Sequence, residues 1–395
     1  MTTFQTTHRI EDQIKSCFAR LALALLALVA STHPLRAADP EKIVDAPGRW
    51  STDKANQWYG KQGWLVGANY LPSNAINQLE MFQAETFSPD LIDRELGFAE
   101  KLGFTSLRVF LHDLLWKQDR EGFLKRCETF LTLAEKHHIK IMFVLFDSCW
   151  HPNPKLGKQP DPLPHTHNSG WVQSPGIEAI KNPAAFPHLK EYVIDVVKHF
   201  ANDHRVVVWD IWNEPDNFDG GAAKRQGLEP KNKPQLVNVL LSQAFAWARQ
   251  ANPSQPLTSG VWMDSDNITQ LSDCKRIQFS NSDVISFHSY GDPPSLERCL
   301  KNLAYYERPL LCTEFMARPN GSFFEPHLAM MKKAKTAAYC WGFINGKSQT
   351  IYPWDSWTKT YDGPPPVWFH DILQPDGTPF RQSEADYIRK ISGAK

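Results

Sequence analysis

The chain has 395 residues, of which 42% are hydrophobic and 22% are charged, as in an ordinary globular protein with a large core. Lys and Arg together number 43, Asp and Glu also number 43, and the formal net charge is +0. Without a basic excess, a nucleic acid or an anionic membrane is not expected as a partner, and a neutral substrate is allowed. The cysteines form no C-x-x-C pair, which argues against a structural zinc site or a redox motif.

Residues 1–38 have the pattern of a secretory signal peptide. An apolar run covers residues 21–30, and the small residues Ala37 and Ala38 follow it. The basic residues ahead of the run are Arg9, Lys15 and Arg20. The run is too short to span a bilayer, and the alternative is the buried end of a helix. We therefore expect a secreted or periplasmic protein, with no membrane association after the signal is removed.

Beyond residue 60, short apolar runs alternate with segments of helical period. The runs predict strands at 64–69, 106–111, 139–146, 206–212, 256–262, 284–290, 309–315 and 337–343. The intervening segments predict helices at 91–102, 123–138, 187–202, 234–251, 296–306 and 326–335. Continuous apolar runs indicate parallel strands that are buried on both faces. Eight such units without a G-x-G-x-x-G motif favour a single closed (β/α)8 TIM barrel over a dinucleotide-binding sheet.

These patterns divide the chain into three parts. We expect the signal peptide at 1–38, an N-terminal extension at 39–60 and one barrel domain at 61–395. No tandem repeat or linker suggests a second domain, and we expect a monomer.

Two glutamates lie where the fourth and seventh predicted strands end. Glu214 follows Asn213 and precedes Pro215, and Glu314 lies between Thr313 and Phe315. In a barrel of this kind the carboxyl ends of all strands meet at one face, where catalytic groups lie. Cleavage of a glycosidic bond requires such a pair of carboxyl groups. A structural carboxylate is the alternative for each, but burial of an unpaired Glu is costly without a role.

Other polar residues at strand ends could support this pair. Arg108 in the second strand could hold Glu314 ionised and oriented. Asn213 could hydrogen-bond a sugar 2-hydroxyl. His288 and Tyr290 close the sixth strand, and the Tyr hydroxyl could tune the basicity of a nearby carboxylate. A purely structural role is equally compatible with each residue taken singly.

Tryptophan is abundant, with 14 residues, and several lie at strand ends or in the loops that follow. These are Trp150, Trp171, Trp262, Trp341, Trp354 and Trp357. Because Trp faces stack on the apolar faces of sugar rings, we expect Trp341 to line a sugar subsite and Trp150 and Trp262 to form further platforms. The alternative is that they only pack the rim of the barrel.

The remaining histidine and cysteine patterns predict no metal and no other cofactor. His165 and His167 lie in a Pro-rich loop without a clear third ligand. In an oxidising compartment Cys274 and Cys299 could form a disulfide, and Cys312 and Cys340 are expected to be buried thiols.

The segment Val208-Trp209-Asp210-Ile211-Trp212-Asn213-Glu214-Pro215 resembles the acid/base strand of the clan A glycoside hydrolases, which include the family 5 cellulases and mannanases. The segment Leu310-Leu311-Cys312-Thr313-Glu314-Phe315 is similar to the nucleophile strand of that clan. Four more residues fall where the clan carries supporting groups: Arg108, His288, Tyr290 and Trp341. The resemblance covers roughly residues 64–345.

The resemblance implies a retaining glycoside hydrolase, with Glu214 as acid/base and Glu314 as nucleophile. This division of labour would need a raised pKa for Glu214 and a low one for Glu314. The resemblance implies no particular carbohydrate substrate. Asn69 and the stretch 77–81 follow the first strand, and we expect them at the rim of the pocket as contacts to substrate.

Two alternative functions and one structural question remain open at this point. The chain could be a non-catalytic carbohydrate-binding barrel, or a transglycosylase that uses the same two glutamates. The long loops at 147–176 and 352–369 could wall off one end of a cleft and favour short substrates, or could bend outward.

Overall fold

The computed structural model describes residues 39–218, 227–262 and 265–394. The predicted signal peptide at 1–38 lies outside the described residues. The chain divides into two units, Met1–Pro40 and Glu41–Lys395, and the fold reported below is that of the second. In these described ranges, no helix combines the length and apolarity needed to cross a bilayer.

Eight parallel strands form one sheet in the order β5-β4-β3-β2-β1-β8-β7-β6. Their bounds are β1 Val66–Asn69, β2 Ser106–Phe110, β3 Lys140–Asp147, β4 Val206–Asn213, β5 Leu257–Gly260, β6 Ile285–Ser289, β7 Leu310–Phe315 and β8 Ala337–Cys340. Every strand residue but Lys140 is buried, as the continuous apolar runs predict.

The barrel closes between β5 and β6. Val261 forms a parallel bridge to Phe287, its N–H donates to Ser286 O at 3.2 Å, and its carbonyl accepts from His288 N at 2.8 Å. The sheet therefore has no free edge at this point, and the prediction of a single (β/α)8 TIM barrel is confirmed.

Helices surround the barrel in the sequence that βαβ units require. The α-helices in the described residues are α1 Thr52–Gly60, α2 Gln78–Phe82, α3 Pro89–Lys101, α4 Asp113–Gln118, α5 Arg120–Lys136, α6 Ile177–Lys181, α7 Phe186–His199, α8 Lys233–Gln250, α9 Asp273–Asn281, α10 Pro293–Leu303, α11 Phe324–Lys333 and α12 Gln382–Ser392. Each of the six predicted helices is present, with ends shifted by a few residues. Helix α9 was not predicted from the sequence, because two polar residues on its buried face, Lys275 and Gln278, interrupt the apolar period.

Alternate residues of the strands point into and out of the barrel. On β3, Met142 and Val144 belong to clusters inside the barrel, whereas Ile141, Phe143 and Leu145 pack in the main core beneath the helices. The same period of two turns Arg108 on β2 and Asp210 on β4 inward, where they are completely buried. The upper part of the barrel interior is therefore polar, and the functional side chains stand on this layer.

Residues 41–60 lie against segments at the amino-terminal end of the barrel. The backbone N–H of Trp50 donates to Asp283, which directly precedes β6, at 2.7 Å. Trp58 and Tyr59 of α1 pack on the apolar layer inside the barrel. This contact keeps the opposite face of the barrel free for the site.

All six cysteines in the described residues are free thiols and all are buried. The expectation of buried thiols at Cys312 and Cys340 is confirmed, and the disulfide between Cys274 and Cys299 is wrong. Cys274 lies in α9, where its Sγ contacts Gln278 at 3.7 Å, and Cys299 lies in the buried face of α10. The sulfur of Cys274 thus faces Gln278 and not the thiol of Cys299.

Candidate active site

A cavity of about 340 Å³ opens at the carboxyl ends of the strands. It contains Glu214, Glu314 and a wall of aromatic side chains. Its lining residues are Cys149, Trp150, His167, Asn213, Glu214, Asn217, Trp262, His288, Tyr290, Glu314, Trp341, Trp354 and Trp357. A largely apolar cavity with a few convergent polar groups is the usual form of a small-molecule site.

Glu214 follows the last residue of β4 in a left-handed backbone conformation, with φ of 45°. Its N–H donates to Gly260 O at 3.2 Å, and its carbonyl accepts from Asn217 N at 2.9 Å, so the turn is held on both sides. A non-glycine residue in this conformation is strained and is often found at functional sites. The turn directs the carboxyl group into the cavity, where it is only 7% exposed.

The carboxyl group of Glu214 has three neutral hydrogen-bond partners. Oε2 accepts from Asn217 Nδ2 at 2.7 Å and from the Cys149 thiol at 3.1 Å. Oε1 lies 2.6 Å from Nδ1 of His288. Burial and the positive charge of Arg108 are among the causes that lower the pKa of His288 to about 4, against the charge of Glu314, so the imidazole is neutral at neutral pH. Its contact with Glu214 is therefore a hydrogen bond and not an ion pair.

The carboxyl group of Glu314 has a charged partner. Oε1 accepts from Nη1 of Arg108 at 2.9 Å, and Oε2 accepts from the Tyr290 hydroxyl at 2.6 Å. The register between β6 and β7 shifts after Phe287, so that His288 pairs with Glu314. Irregularities of this kind often redirect side chains beside active sites.

The guanidinium group of Arg108 organises the floor of the site. Besides Glu314, it donates twice to Asp210 Oδ2, from Nε at 3.0 Å and from Nη2 at 2.7 Å. It also donates to Asn69 Oδ1 at 2.9 Å and to Asn213 Oδ1 at 2.7 Å. Arg108 is completely buried and does not line the cavity, so it positions other side chains and has no direct access to a ligand.

A proton shared by the two carboxyl groups is not equally stable on both of them. Burial raises the pKa of Glu214, against opposing effects from Asn217, Cys149 and Arg108. Burial also raises the pKa of Glu314, the charge of Glu214 adds to this effect, and Arg108 and Tyr290 oppose it. The expectation of a lowered pKa for Glu314 is therefore wrong, because burial outweighs its partners. Since only Glu314 touches a cation, a single proton shared by the pair is more stable on Glu214.

Ligand atoms of Glu214, His288 and Glu314 lie within 4.8 Å of one another. A metal ion could be held at such a spacing, but all four carboxylate oxygens already have protein partners. The positive charge of Arg108 beside the cluster also disfavours a cation. The arrangement is better suited to two carboxyl groups that share a proton.

Two of the predicted substrate contacts have other roles. Asn69 was expected at the rim, but it does not line this cavity; its amide donates to Thr313 O at 2.8 Å and Cys340 O at 3.2 Å, and it lines a smaller cavity that also contains Trp341. It is buried because the inward direction of the last residue of β1 places it beside Arg108. The stretch 77–81 is also buried apart from Glu80, as part of α2, and does not line the cavity. Asn213 lines the cavity, but its side chain is already bound by Arg108 and, at 3.0 Å, by Asp147.

Five tryptophans line the cavity, including the three predicted platforms. Trp341 packs edge-to-face on Phe110 and on Trp171 with ring centroids 5.9 Å and 5.8 Å apart. Trp171 stands behind Trp341 and donates to Asp147 at 2.6 Å, so it supports the lining and is not part of it. Trp262 donates to Asp216 at 2.9 Å on the β5 side.

Several residues that contact the two glutamates or their supporting side chains were not predicted from the sequence. Asn217 and Cys149 contact Glu214, Asp210 holds Arg108, and Asp147 holds Asn213. Asp147 and Asp210 could have been found as the acidic residues within otherwise apolar strands. Burial raises the pKa of Asp147 to about 6. No comparable signal marks Cys149, which looks like a buried thiol.

The fold and the site together define a (β/α)8 barrel protein with a buried pair of glutamates at the ends of β4 and β7. Its sequence matches no family model and no curated protein. Among solved structures, it is similar to the exo-β-1,4-mannosidase Op5Man5 from Opitutaceae bacterium strain TAV5, with 17% identity and a TM-score of 0.56. The match covers 84% of this chain and 59% of that chain, so it spans less than two thirds of that protein.

Two further structures show the same similarity. One is GH5_18 from Streptomyces cattleya, solved in complex with GlcNAc, with 14% identity, a TM-score of 0.54 and coverage of 83% of this chain and 79% of that chain. The other is β-glucosidase 1317, with 11% identity, a TM-score of 0.52 and coverage of 84% of this chain and 98% of that chain. At these identities the likeness establishes a shared fold.

Proposed function

We propose that the protein is a retaining glycoside hydrolase that cleaves β-linked glycosidic bonds, with Glu314 as nucleophile and Glu214 as acid/base. The observation that carries this proposal is the pair itself. Both carboxyl groups are buried at the floor of an aromatic-lined cavity, and oxygens of the two lie within 4.8 Å. Retaining enzymes separate their carboxyl groups by about 5–5.5 Å, whereas inverting enzymes need about 6.5–9.5 Å.

The reaction divides into two displacements. Glu314 attacks the anomeric carbon while Glu214 gives its proton to the leaving oxygen, so that the glycosidic bond breaks and a glycosyl ester forms on Glu314. Glu214, now a carboxylate, takes a proton from water as the water attacks the same carbon. The ester bond breaks, and Glu314 leaves as a carboxylate. Arg108 and Tyr290 would stabilise the carboxylate of Glu314 both before it attacks and after the ester bond breaks.

The similar structures supply independent support for this class of substrate. One is named as an exo-β-1,4-mannosidase and another as a β-glucosidase. Both names refer to β-linked hexoses, and the aromatic lining of this cavity suits the apolar faces of such rings. We therefore infer that the substrate is a carbohydrate with a β-linked hexose at the cleaved bond.

A panel of aryl β-glycosides, with the mannoside and the glucoside included, tests this proposal. We expect hydrolysis of at least one member, with the β-anomer as the first product seen by proton NMR. An α-anomer would show inversion and overturn the retaining mechanism. If the protein binds sugars but hydrolyses no member of the panel, it is a non-catalytic binding barrel. Transfer to added sugar acceptors in preference to water would identify a transglycosylase.

Two variants separate the roles of the glutamates. Glu314→Gln is expected to abolish turnover on every substrate. Glu214→Gln is expected to retain activity on 2,4-dinitrophenyl glycosides, because so good a leaving group does not need protonation. Exposed Glu297→Gln is the matched control and should behave as the wild type. Turnover by Glu314→Gln at the wild-type rate would contradict the assignment.

A further inference from the structure

Two loops join to form one wall of the cavity. The β3 loop, residues 148–176, follows β3, and the β8 loop, residues 341–381, follows β8. Gln349 of the β8 loop accepts from His165 N at 2.9 Å and donates to Leu163 O at 2.7 Å. The two loops therefore meet through hydrogen bonds and do not bend away from each other.

His167 lies at the centre of this join and is completely buried. Its Nδ1 lies 2.7 Å from Tyr352 O, and its N–H donates to Ser356 Oγ at 3.0 Å. Its carbonyl accepts from Trp357 Nε1 at 2.8 Å. These three hydrogen bonds join the two loops at one buried residue, so the wall is a fixed part of the site.

The base of the wall is anchored to the barrel. Arg318, which follows β7 and is buried, donates to the carbonyls of Trp368 at 2.9 Å and Asp371 at 3.0 Å. The same guanidinium donates to Glu384 of α12 at 2.6 Å. Arg318 thus ties the β8 loop to the segment after β7 and to α12.

The wall stands on the Glu314 side of the cavity. Trp354 packs edge-to-face on Tyr290, with ring centroids 5.2 Å apart, and Tyr290 donates directly to Glu314. Trp357 continues the wall to Trp150, with centroids 4.5 Å apart. The sugar whose anomeric carbon faces Glu314 would therefore have these aromatic rings next to it.

The size of the cavity limits how much of a chain fits behind Glu314. Its volume of about 340 Å³ is near the lower end of the roughly 300–1,000 Å³ that ligand cavities occupy. That space suits one or two sugar rings and not an extended run of subsites. A chain that continued past the sugar on Glu314 would meet the indole rings of Trp354 and Trp357.

We propose that the joined β3 and β8 loops close the glycone end of the site, so that the protein removes single sugar units from non-reducing chain ends. This inference rests on the proposed function and adds the position of the cleaved bond to it. The leaving group would lie on the other side of the cavity, toward Trp262 and Asn217, which follow β5 and β4 and are not part of the wall. The substrate class is therefore a short or terminal β-glycoside.

The test uses wild-type protein and a ladder of β-linked oligosaccharides labelled at the reducing end. The sugar is chosen as the one hydrolysed fastest in the aryl glycoside panel. We expect monosaccharide as the sole early unlabelled product, with labelled chains that shorten one unit at a time. Early internal fragments, with aryl glycosides still hydrolysed, would overturn the closed glycone end and leave the proposed function intact. Failure to hydrolyse both kinds of substrate would overturn both proposals.

A pair of variants locates the barrier. Trp354→Ala removes part of the wall and is expected to raise the ratio of released disaccharide to monosaccharide at least several-fold. Trp262→Ala removes the same side chain from the opposite side of the cavity and should leave that ratio unchanged. An unchanged ratio in Trp354→Ala, with thermal unfolding as in the wild type, would contradict the proposal. If Trp354→Ala does not fold, the wild-type product pattern alone decides.

Discussion

Arg108 on β2 and Glu314 on β7 form a buried ion pair, with Nη1 of the guanidinium 2.9 Å from Oε1 of the carboxylate. The same guanidinium contacts Asp210 at 2.7 Å on the other side, so one cation is shared by two buried acids. A buried charge without its partner is strongly unfavourable. Arg108 is therefore essential for the stability of the fold and for the position of the Glu314 carboxylate. Desolvation of the guanidinium lowers the pKa of Arg108, but the charges and hydrogen bonds of Asp210 and Glu314 outweigh it and raise the pKa above its ordinary value.

Replacement of Arg108 tests this dual role. Arg108→Lys keeps a charge but loses the planar fork that reaches Asp210, Asn213 and Glu314 together. We expect a fall in kcat of about 100-fold, since a misplaced catalytic group costs that much. Arg108→Met leaves two uncompensated acids and should lower the free energy of unfolding by about 3–5 kcal/mol. Urea unfolding and kcat on an aryl glycoside measure the two effects.

A surface pair serves as the control for Arg108. Arg120 forms an ion pair with Asp195 at 2.6 Å, but its side chain is 50% exposed. Arg120→Met should leave kcat unchanged and alter the unfolding midpoint only slightly, because exposed ion pairs contribute little. Equal losses in the two Met variants would contradict the special role of Arg108.

Cys149 is expected to set the alkaline limit of activity. Its thiol lies 3.1 Å from Glu214 Oε2, and this contact lowers the pKa of Glu214 against the larger effect of burial. In the proposed mechanism, activity requires protonated Glu214 and is lost as pH rises through the pKa of Glu214. Cys149→Ala should therefore raise that pKa and move the alkaline limb of kcat/KM to higher pH, by less than about one unit, because a thiol is a weak donor.

Two further variants make this measurement specific. Cys149→Ser restores a donor and should return the alkaline limb toward the wild-type position. Cys127→Ala removes a buried thiol of α5 that lies outside the site, so the limb should not move. A limb that moves to lower pH in Cys149→Ala would show that the thiol does not donate to Glu214.

The barrel and the position of both glutamates could be predicted from the sequence because their signals are local. Strands buried on both faces give unbroken apolar runs, and the residues that end them meet at one face. Depth within the barrel is not a local property. Asn69 ends β1 as Glu314 nearly ends β7, yet Asn69 binds Arg108 and does not line the cavity that Glu314 faces. The sequence distinguishes strand ends but not the layers below them.

Contacts between loops that are far apart along the chain also could not be predicted from the sequence. His167 and Tyr352 are joined by a hydrogen bond across 185 positions. Nothing in the composition of either loop indicates that partner, so the loops could equally have bent outward. The role of Cys149 depends in the same way on Glu214, which lies 65 positions away. Such pairings follow from the closed barrel, which brings the ends of β3, β4 and β8 to one rim.

Asp371 in the β8 loop should make stability depend on pH. It is completely buried, and burial raises its pKa to about 7, against the hydrogen bond from Thr350 and the charge of Arg318. The pKa of Asp371 in the folded protein lies above its ordinary value of 3.8. The protonated carboxyl group therefore stabilises the fold fully below pH 3.8, and this stabilisation is lost as pH rises through about 7. Each pKa unit corresponds to about 1.4 kcal/mol.

Asp371→Asn is the corresponding variant. Asn cannot ionise, so the variant should be more stable than the wild type at pH 8, and this advantage should be smaller at pH 5. Urea unfolding at the two pH values measures the difference. Exposed Asp362→Asn in the same loop is the control and should show no such dependence. If the Asp371→Asn advantage is the same at both pH values, Asp371 does not carry this dependence.

Gly260, the last residue of β5, leaves the space in which the site converges. A Cβ at this position would lie 3.1 Å from His288 Nε2, 3.3 Å from Asn213 Oδ1 and 3.5 Å from Arg108 Nη2. All three side chains are fixed by other partners, so they cannot all move away without weakening contacts to Glu214 and Glu314. Gly260→Ala should therefore cost about 1–3 kcal/mol of stability and lower kcat/KM by about 10- to 100-fold.

Gly363→Ala, where a Cβ would meet no atom within 4 Å, is the matched control and should match the wild type in both measurements. If Gly260→Ala retained wild-type kcat/KM, the close packing of His288, Asn213 and Arg108 would not be needed to position the two glutamates.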